Sequence, residues 1–444
     1  MERFSRSIEI DGQMWREDIA VNRAWAQALC EAKLLTVAEE KKILLGLRAI
    51  EKEFRTSRFA FLPEDEDIHV ALERRLTELI GAAGAKIHTG RSRNDQVVTD
   101  FRLYLKRRVA ELHSALRGLV VVLVEQAEAT QEIILPSYTH TQQAQPVRLA
   151  HYLLSLFFAV QRHSGQLRQF VERIDEMPLG SGAVAGTAFS IDRKKLAQTL
   201  GFSRVMPNSI DATGTRSFCG EIVFICSDIG TTLSRYTHDF ILWSTQEFGF
   251  IDPGEKFATG SSMMPNKKNP DAFELVRGKA GTLLGLLTSI MSVQKGIPAT
   301  YSRDLQEDKK LVFEALQSAK DCLQVFAGAL DTCRFRAERM HAALDSALFA
   351  TDVADYFVRK GMPFRKAHEL VAHAVQHAER LACSLHELPL AYWQSLSLLC
   401  DEELFDCFAA RTSVERRNAI GGTSLRQVKA QIRIAKSWLK KANA

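Results

Sequence analysis

The chain has 444 residues with 46% hydrophobic and 25% charged side chains, which places it in the globular range with room for a sizeable core and excludes disordered and collagen-like classes. Eleven prolines amount to about 2.5% of it, half the usual share of roughly 5%, so few positions break long helices and an all-α fold is expected. With 58 Lys and Arg against 53 Asp and Glu, the net charge of +5 is spread along the chain; it suits an anionic metabolite and calls for no nucleic acid.

The first residues, MERFSRSIEI, lack the apolar run of a secretory signal, and the eight cysteines show no C-x-x-C spacing; a reducing cytoplasm is the expected address. From Asp18 to Phe54 apolar residues recur at helical spacing in two runs, with Thr36 as the N-cap between them. The acidic stretch PEDEDIH precedes a third helical run, Val70 to Ile80, and GAAGAKIHTGRSRND then breaks the period, so a first domain is expected over 1–92.

Gln96 to Glu132 keeps a 3–4 apolar spacing without proline, a helix of roughly 50 Å at 1.5 Å per residue. Such a helix needs long partners, and 147–175, 218–248, 271–296 and 305–340 supply them, interrupted by the loops PSYTHTQQAQP, PLGSGAVAGT and FATGSSMMPNKKNP. A central bundle of about five long helices over 93–343 is the natural packing solution. Beyond it, shorter runs at 351–360, 364–382, 386–398 and 401–410 read as a small helical domain over 344–444. LVVVLV and GTLLGLLTSIMSV, the most apolar stretches, fall short of the ~18 residues a membrane span needs, so no membrane partner is expected.

Chemistry concentrates in the loops. TGSSMMPNKKNPD packs Ser261, Ser262, Lys267, Lys268 and Asn269 between a glycine and a proline, which suits a lid over an anion; alone it also reads as a solvated basic turn. HTGRSRNDQV offers Arg91, Arg93 and Asn94, and the arginine fork is the usual carboxylate binder. YTHTQQAQP contributes Thr139, His140, Gln142 and Gln143, and YSRDLQEDKK contributes Tyr301, Gln306 and Lys309. His368, His373 and His377 lie on one helical run, but HAVQH lacks the glutamate of a zincin motif, so no metal is expected. GSGAVAG has no βαβ context, so no nucleotide cofactor is expected either.

GSSMMPNKKNP resembles the GSSxMPxKxNP signature of the fumarase/aspartase superfamily, and HTGRSRNDQV, PLGSGAVAGTAF and DLQEDK narrow the likeness to the argininosuccinate lyase and delta-crystallin family. The likeness runs from Phe4 to SVERRNAIGGT and takes in KGMPFRKAH. It implies an all-α, three-domain subunit in a homotetramer with active sites shared between subunits, cleaving argininosuccinate to arginine and fumarate without metal or organic cofactor. By that resemblance Ser261 is the proton-abstracting base, Lys267 and Asn269 stabilise the carbanion-like intermediate, and His140, oriented by Glu274, stands on the acid side. Ser92, Arg93, Asn94 and Thr139 match carboxylate contacts, and Tyr301, Gln306 and Lys309 match positions that hold the arginine moiety. Asp67 and His69 match a family motif near the site, with an acidic N-cap as the plain reading of Asp67.

The sequence also departs from the family pattern. Thr141 and Gln143 replace leucine and arginine, Ser217 replaces aspartate, Asn266 replaces glutamine and Asn22 replaces a substrate-contacting serine, while the family's leading GGRF segment has no counterpart before Phe4. Two other readings stand beside the lyase: a related enzyme releasing fumarate from another succinyl amine, and a non-catalytic structural homologue of the delta-crystallin kind. The full set of polar loop residues favours an enzyme, because a purely structural protein has no packing reason to hold them.

Overall fold

The computed structural model describes residues 2–441. The chain is built almost wholly of helices, as composition predicts. After short helical turns before Trp15, the first of the larger helices are α1 (Trp15–Glu31), α2 (Val37–Arg55) and α3 (Ile68–Ile80). Thr36 caps α2 as expected: its hydroxyl accepts from Glu39 N while the Glu39 side chain accepts from Thr36 N, which satisfies two end donors reciprocally. Five long helices follow, α4 (Arg93–Ala129), α5 (Leu149–Ile174), α6 (Ser217–Trp243), α7 (Asp271–Gln294) and α8 (Asp308–Thr332), one for each of the five runs read from periodicity, the last shorter than expected. α9 (Ala350–Arg359), α10 (Phe364–Leu381) and the terminal α11 (Leu425–Lys441) complete the set of larger helices.

The chain divides into two compact units. One comprises 1–114, 163–230 and 279–321, the other 115–162, 231–278 and 322–444. In the first, Trp25, Leu29, Ile43, Leu47, Leu72 and Leu76 of α1–α3 form a common apolar core, and Phe101 meets Phe218 and Phe313 edge-on where α4, α6 and α8 converge. In the second, Phe240 is ringed by Trp243, Phe273 and Phe326, and a separate core joins Val353, Phe357, Val371, Trp393 and Leu404.

Three segments differ from the sequence expectation. PSYTHTQQAQP is an antiparallel hairpin, β1 (Ile134–Thr139) and β2 (Gln142–Arg148), rather than a plain loop. The run expected over 305–340 stops at Thr332, because Arg334 and Phe335 pair with Asp252 and Ile251 and Phe335 packs near Phe240. Lastly, α4 begins at Arg93, so half of the basic motif lies in the first helical turn and not in the loop.

Candidate active site

Six of the expected residues fall in the first unit: Ser92, Arg93, Asn94, Tyr301, Gln306 and Lys309. Ser92 ends the approach to α4, where its hydroxyl accepts from Asn94 N at 3.2 Å and the Asp95 carboxylate accepts from Ser92 N at 3.0 Å. Arg93 and Asn94 thus project from the positive end of a 37-residue helix, a favourable place for an anion. Arg93 Nε lies 3.7 Å from Asp67, whose carboxylate caps α3 by accepting from Val70 N at 2.7 Å, the plain N-cap reading of that residue. Burial raises Asp67, with Arg93 and Lys309 opposing it.

Gln306 lies in the 3-10 turn Arg303–Glu307, and Lys309 in the first turn of α8. Gln306 Nε2 donates to Ser5 O at 2.8 Å, and buried Asp308 accepts from Lys309 Nζ at 2.8 Å and from Arg216 Nε at 2.7 Å. Asp308 and Arg216, absent from the sequence reading, therefore hold the Lys309 ammonium in place. Asn22, the departure from the family serine, is buried and committed: it donates to Asp18 O at 2.8 Å and accepts from Arg91 Nη2 at 3.0 Å.

A buried ionic cluster lies beneath these loops. His69 Nδ1 is 2.9 Å from Asp18 and 3.3 Å from Asp100, and burial, followed by the charge of Asp18, pushes Asp100 well above the ordinary carboxylate range. Among the described residues, Asp18, His69 and Asp100 place ligand atoms close enough for a metal ion. The Gln96 amide donates to Asp18, however, and Arg91 adds a positive charge beside both carboxylates, so Arg91 and one proton balance the pair and a divalent ion fits poorly.

The remaining six fall in the second unit: Thr139, His140, Ser261, Lys267, Asn269 and Glu274. Thr139 pairs with Gln142, which leaves His140 and Thr141 as the two central residues of the hairpin turn, exposed and both left-handed at φ 53° and 60°. That is the two-residue turn matching strand twist, made here without glycine or asparagine. Buried Arg148 donates to Gln131 O and Glu415, and its N donates to Thr423, anchoring the hairpin's base.

The loop expected to act as a lid is tied together at its base. Thr259–Gly260 pairs antiparallel with Lys268–Asn269, Asp271 accepts from Thr259 N and Oγ1 at 2.7 Å, and Lys268 Nζ meets Asp252 at 2.7 Å. Inside this loop the Ser261 hydroxyl accepts from Met263 N at 3.2 Å and Met264 N at 3.0 Å. Lys267, Asn269 and Glu274 line one cavity of about 930 Å³ together with Asn266, Arg336 and Arg339. His140 is not among its lining residues, and among the described residues no hydrogen bond joins His140 to Glu274. Arg336 and Arg339 carried no signal in the sequence, since only the fold brings residues 336–339 beside this loop.

A lyase family model matches residues 1–285, and an argininosuccinate lyase C-terminal model matches 347–415. The chain is 46% identical over 439 residues to the argininosuccinate lyase of Roseiflexus castenholzii, covering 99% of this chain and 96% of that one. It is 46% identical over 440 residues to that of Moorella thermoacetica, covering 99% and 95%. Among solved structures, an EDDS lyase variant with bound fumarate superposes with a TM-score of 0.86 at 28% identity, covering 97% of this chain and 87% of that one.

Proposed function

The chain belongs to the argininosuccinate lyase family, and is therefore a lyase; from that premise we propose how its residues eliminate fumarate from argininosuccinate to leave arginine. The observation that carries the reading is the Ser261 hydroxyl, which takes two backbone N–H donors from Met263 and Met264. A free serine is far too weak an acid to supply an alkoxide, and two fixed donors favour the charged form. Ser261 then removes the proton from the carbon beside a carboxylate, and Lys267 and Asn269 hold the extra charge on that carboxylate. The intermediate collapses by expelling the guanidinium nitrogen, which takes up a proton in the step assigned to His140 and Glu274, two residues that do not meet within this chain. Ser92, Arg93, Asn94 and Thr139 bind carboxylates, and Tyr301, Gln306 and Lys309 hold the arginine moiety. None of these steps calls for a metal or organic cofactor.

The same reading makes the protein a cytoplasmic homotetramer of three-domain subunits, divided at 92/93 and 343/344, with each site drawn from several subunits. Support comes from α7, which leaves Leu275, Leu284 and Met291 exposed and carries Gly278, Gly281 and Gly285, each with open space where a side chain would begin. Mid-helix glycine costs about 1 kcal/mol each, a cost offset when another helix approaches closely. Among the described residues no helix is long and apolar enough to cross a membrane.

A second reading, a lyase releasing fumarate from another succinyl amine, is favoured by the EDDS lyase likeness and by Gln143, whose amide donates to Ala343 O where the family has arginine. Ultraviolet absorbance of fumarate distinguishes them, with adenylosuccinate, aspartate and malate as controls. Release from argininosuccinate alone is expected. Release from another compound instead supports the second reading, and release from none by folded protein points to a non-catalytic scaffold.

A further inference from the structure

The segment PLGSGAVAGT, conspicuous in the sequence, has no part in the chemistry above. In the structure its backbone closes around one carboxylate. Asp95 is fully buried; it accepts from Gly180 N at 2.9 Å and Gly182 N at 2.8 Å through one oxygen, and from Ser92 N at 3.0 Å through the other. Gly180 and Gly182 are left-handed, at φ 87° and 61°, and a Cβ on Gly182 would lie 2.6 Å from Gly186 O, so the turn that presents these donors admits no side chain. From the other side Arg193 donates to Leu179 O at 2.9 Å, Pro178 O at 3.1 Å and Ser181 Oγ at 3.0 Å. A further close approach lies just outside these segments, where Phe189 and Thr187 crowd Gly90.

We infer that Asp95 is a positioning residue for the reaction: its carboxylate locks the Ser92–Asn94 segment to the 178–186 glycine loop and so fixes the geometry with which that segment meets a substrate carboxylate. The inference rests on the proposed role of Ser92, Arg93 and Asn94. Asp95 adjoins Asn94 and is itself buried, and the three hydrogen bonds that tie it to the loops all come from backbone donors. The charged groups facing it are Arg91, on the approach to α4, and Arg193, on the Arg193–Thr199 helix. Burial raises the Asp95 carboxyl to about 6, against the three backbone donors and Arg91, so the lock is formed at neutral pH and released in mild acid.

The test is the pH profile of fumarate release from argininosuccinate by the full chain, for the wild type, Asp95→Asn and Arg193→Gln. An amide turns one oxygen into a donor facing a donor, so Asp95→Asn is expected to lower kcat/KM roughly ten- to a hundred-fold, chiefly through KM, and to abolish an acid limb near pH 6. Arg193→Gln removes a facing positive charge and is expected to move that limb to higher pH. A wild-type profile without the limb overturns the inference, as does folded Asp95→Asn with wild-type kcat/KM and an unchanged limb. Should Asp95→Asn fail to fold by circular dichroism, an unmoved limb in Arg193→Gln overturns it instead. Ser92→Ala and Arg93→Gln separate the two levels: a normal KM in both removes the substrate role of the segment, whatever Asp95 does.

Discussion

The chemistry proposed for the Ser261 hydroxyl depends on the backbone around it, since both of its donors are main-chain amides within three residues. Ser261→Ala removes the proposed base without opening a core, because the residue is only partly buried in its loop; turnover is expected to fall about 10² to 10⁴-fold with the thermal midpoint nearly unchanged. Lys267→Met is expected to abolish measurable turnover by removing the ammonium from the cavity, and a near-normal rate would take the lid out of the mechanism. Asp11 makes a different prediction. Burial raises its carboxyl to about 6, against hydrogen bonds from Ser7 and Ile68 N. A raised carboxyl stabilises the fold fully below its unfolded value near 4, and that contribution is lost as pH rises through about 6. Asp11→Asn is neutral throughout, so its stability relative to wild type should increase between pH 4 and pH 7 by up to about 3 kcal/mol, read from paired denaturant melts. A difference that stays flat with pH would refute the buried-charge account. Residues such as Asp95 and Asp308 escaped the sequence reading because their partners lie 85 and 92 positions away, at separations that local pattern does not encode.

Among the elements, the helices followed from the period of their apolar residues, and the Thr36 cap from a hydroxyl placed before such a run. The β1–β2 hairpin did not. Its turn is written with histidine and threonine where glycine or asparagine would announce it, and a β-branched residue at positive φ costs about 1–2 kcal/mol. His140 is thus held in a strained backbone at an exposed tip, which is the kind of expense a functional side chain explains. Thr141→Gly should relieve the strain at the adjacent position and stabilise the protein by about 1 kcal/mol, a rise visible in chemical denaturation; a loss of stability would mean that the Thr141 hydroxyl, which donates to His140 O, outweighs the strain.

For the whole molecule, the exposed apolar positions of α7 set the expectation. Leu284 is half exposed on a helix whose Gly281 and Gly285 flank it, and Leu284→Glu places a charge where a second copy is proposed to pack. Light scattering should give four times the 49.8 kDa chain mass for wild type and a smaller assembly for the variant, with fumarate release lost in parallel if subunits share the site. An unchanged mass for the variant would place the interface elsewhere, and a monomeric, active wild type would remove the shared site altogether.

Composition and apolar period determined the helical class and the five long runs, because helix formation is read out over three or four neighbouring residues. Motif strings likewise carried the family, because GSSMMPNKKNP and HTGRSRNDQV are each contiguous in the chain. Tertiary structure alone decided that Asp308 holds Lys309 beside Arg216, that the glycine loop closes on Asp95, and that Asp18 and Asp100 share His69. Each of those is a buried charge that must find a partner once water is excluded, and which partner reaches it depends on how distant segments pack.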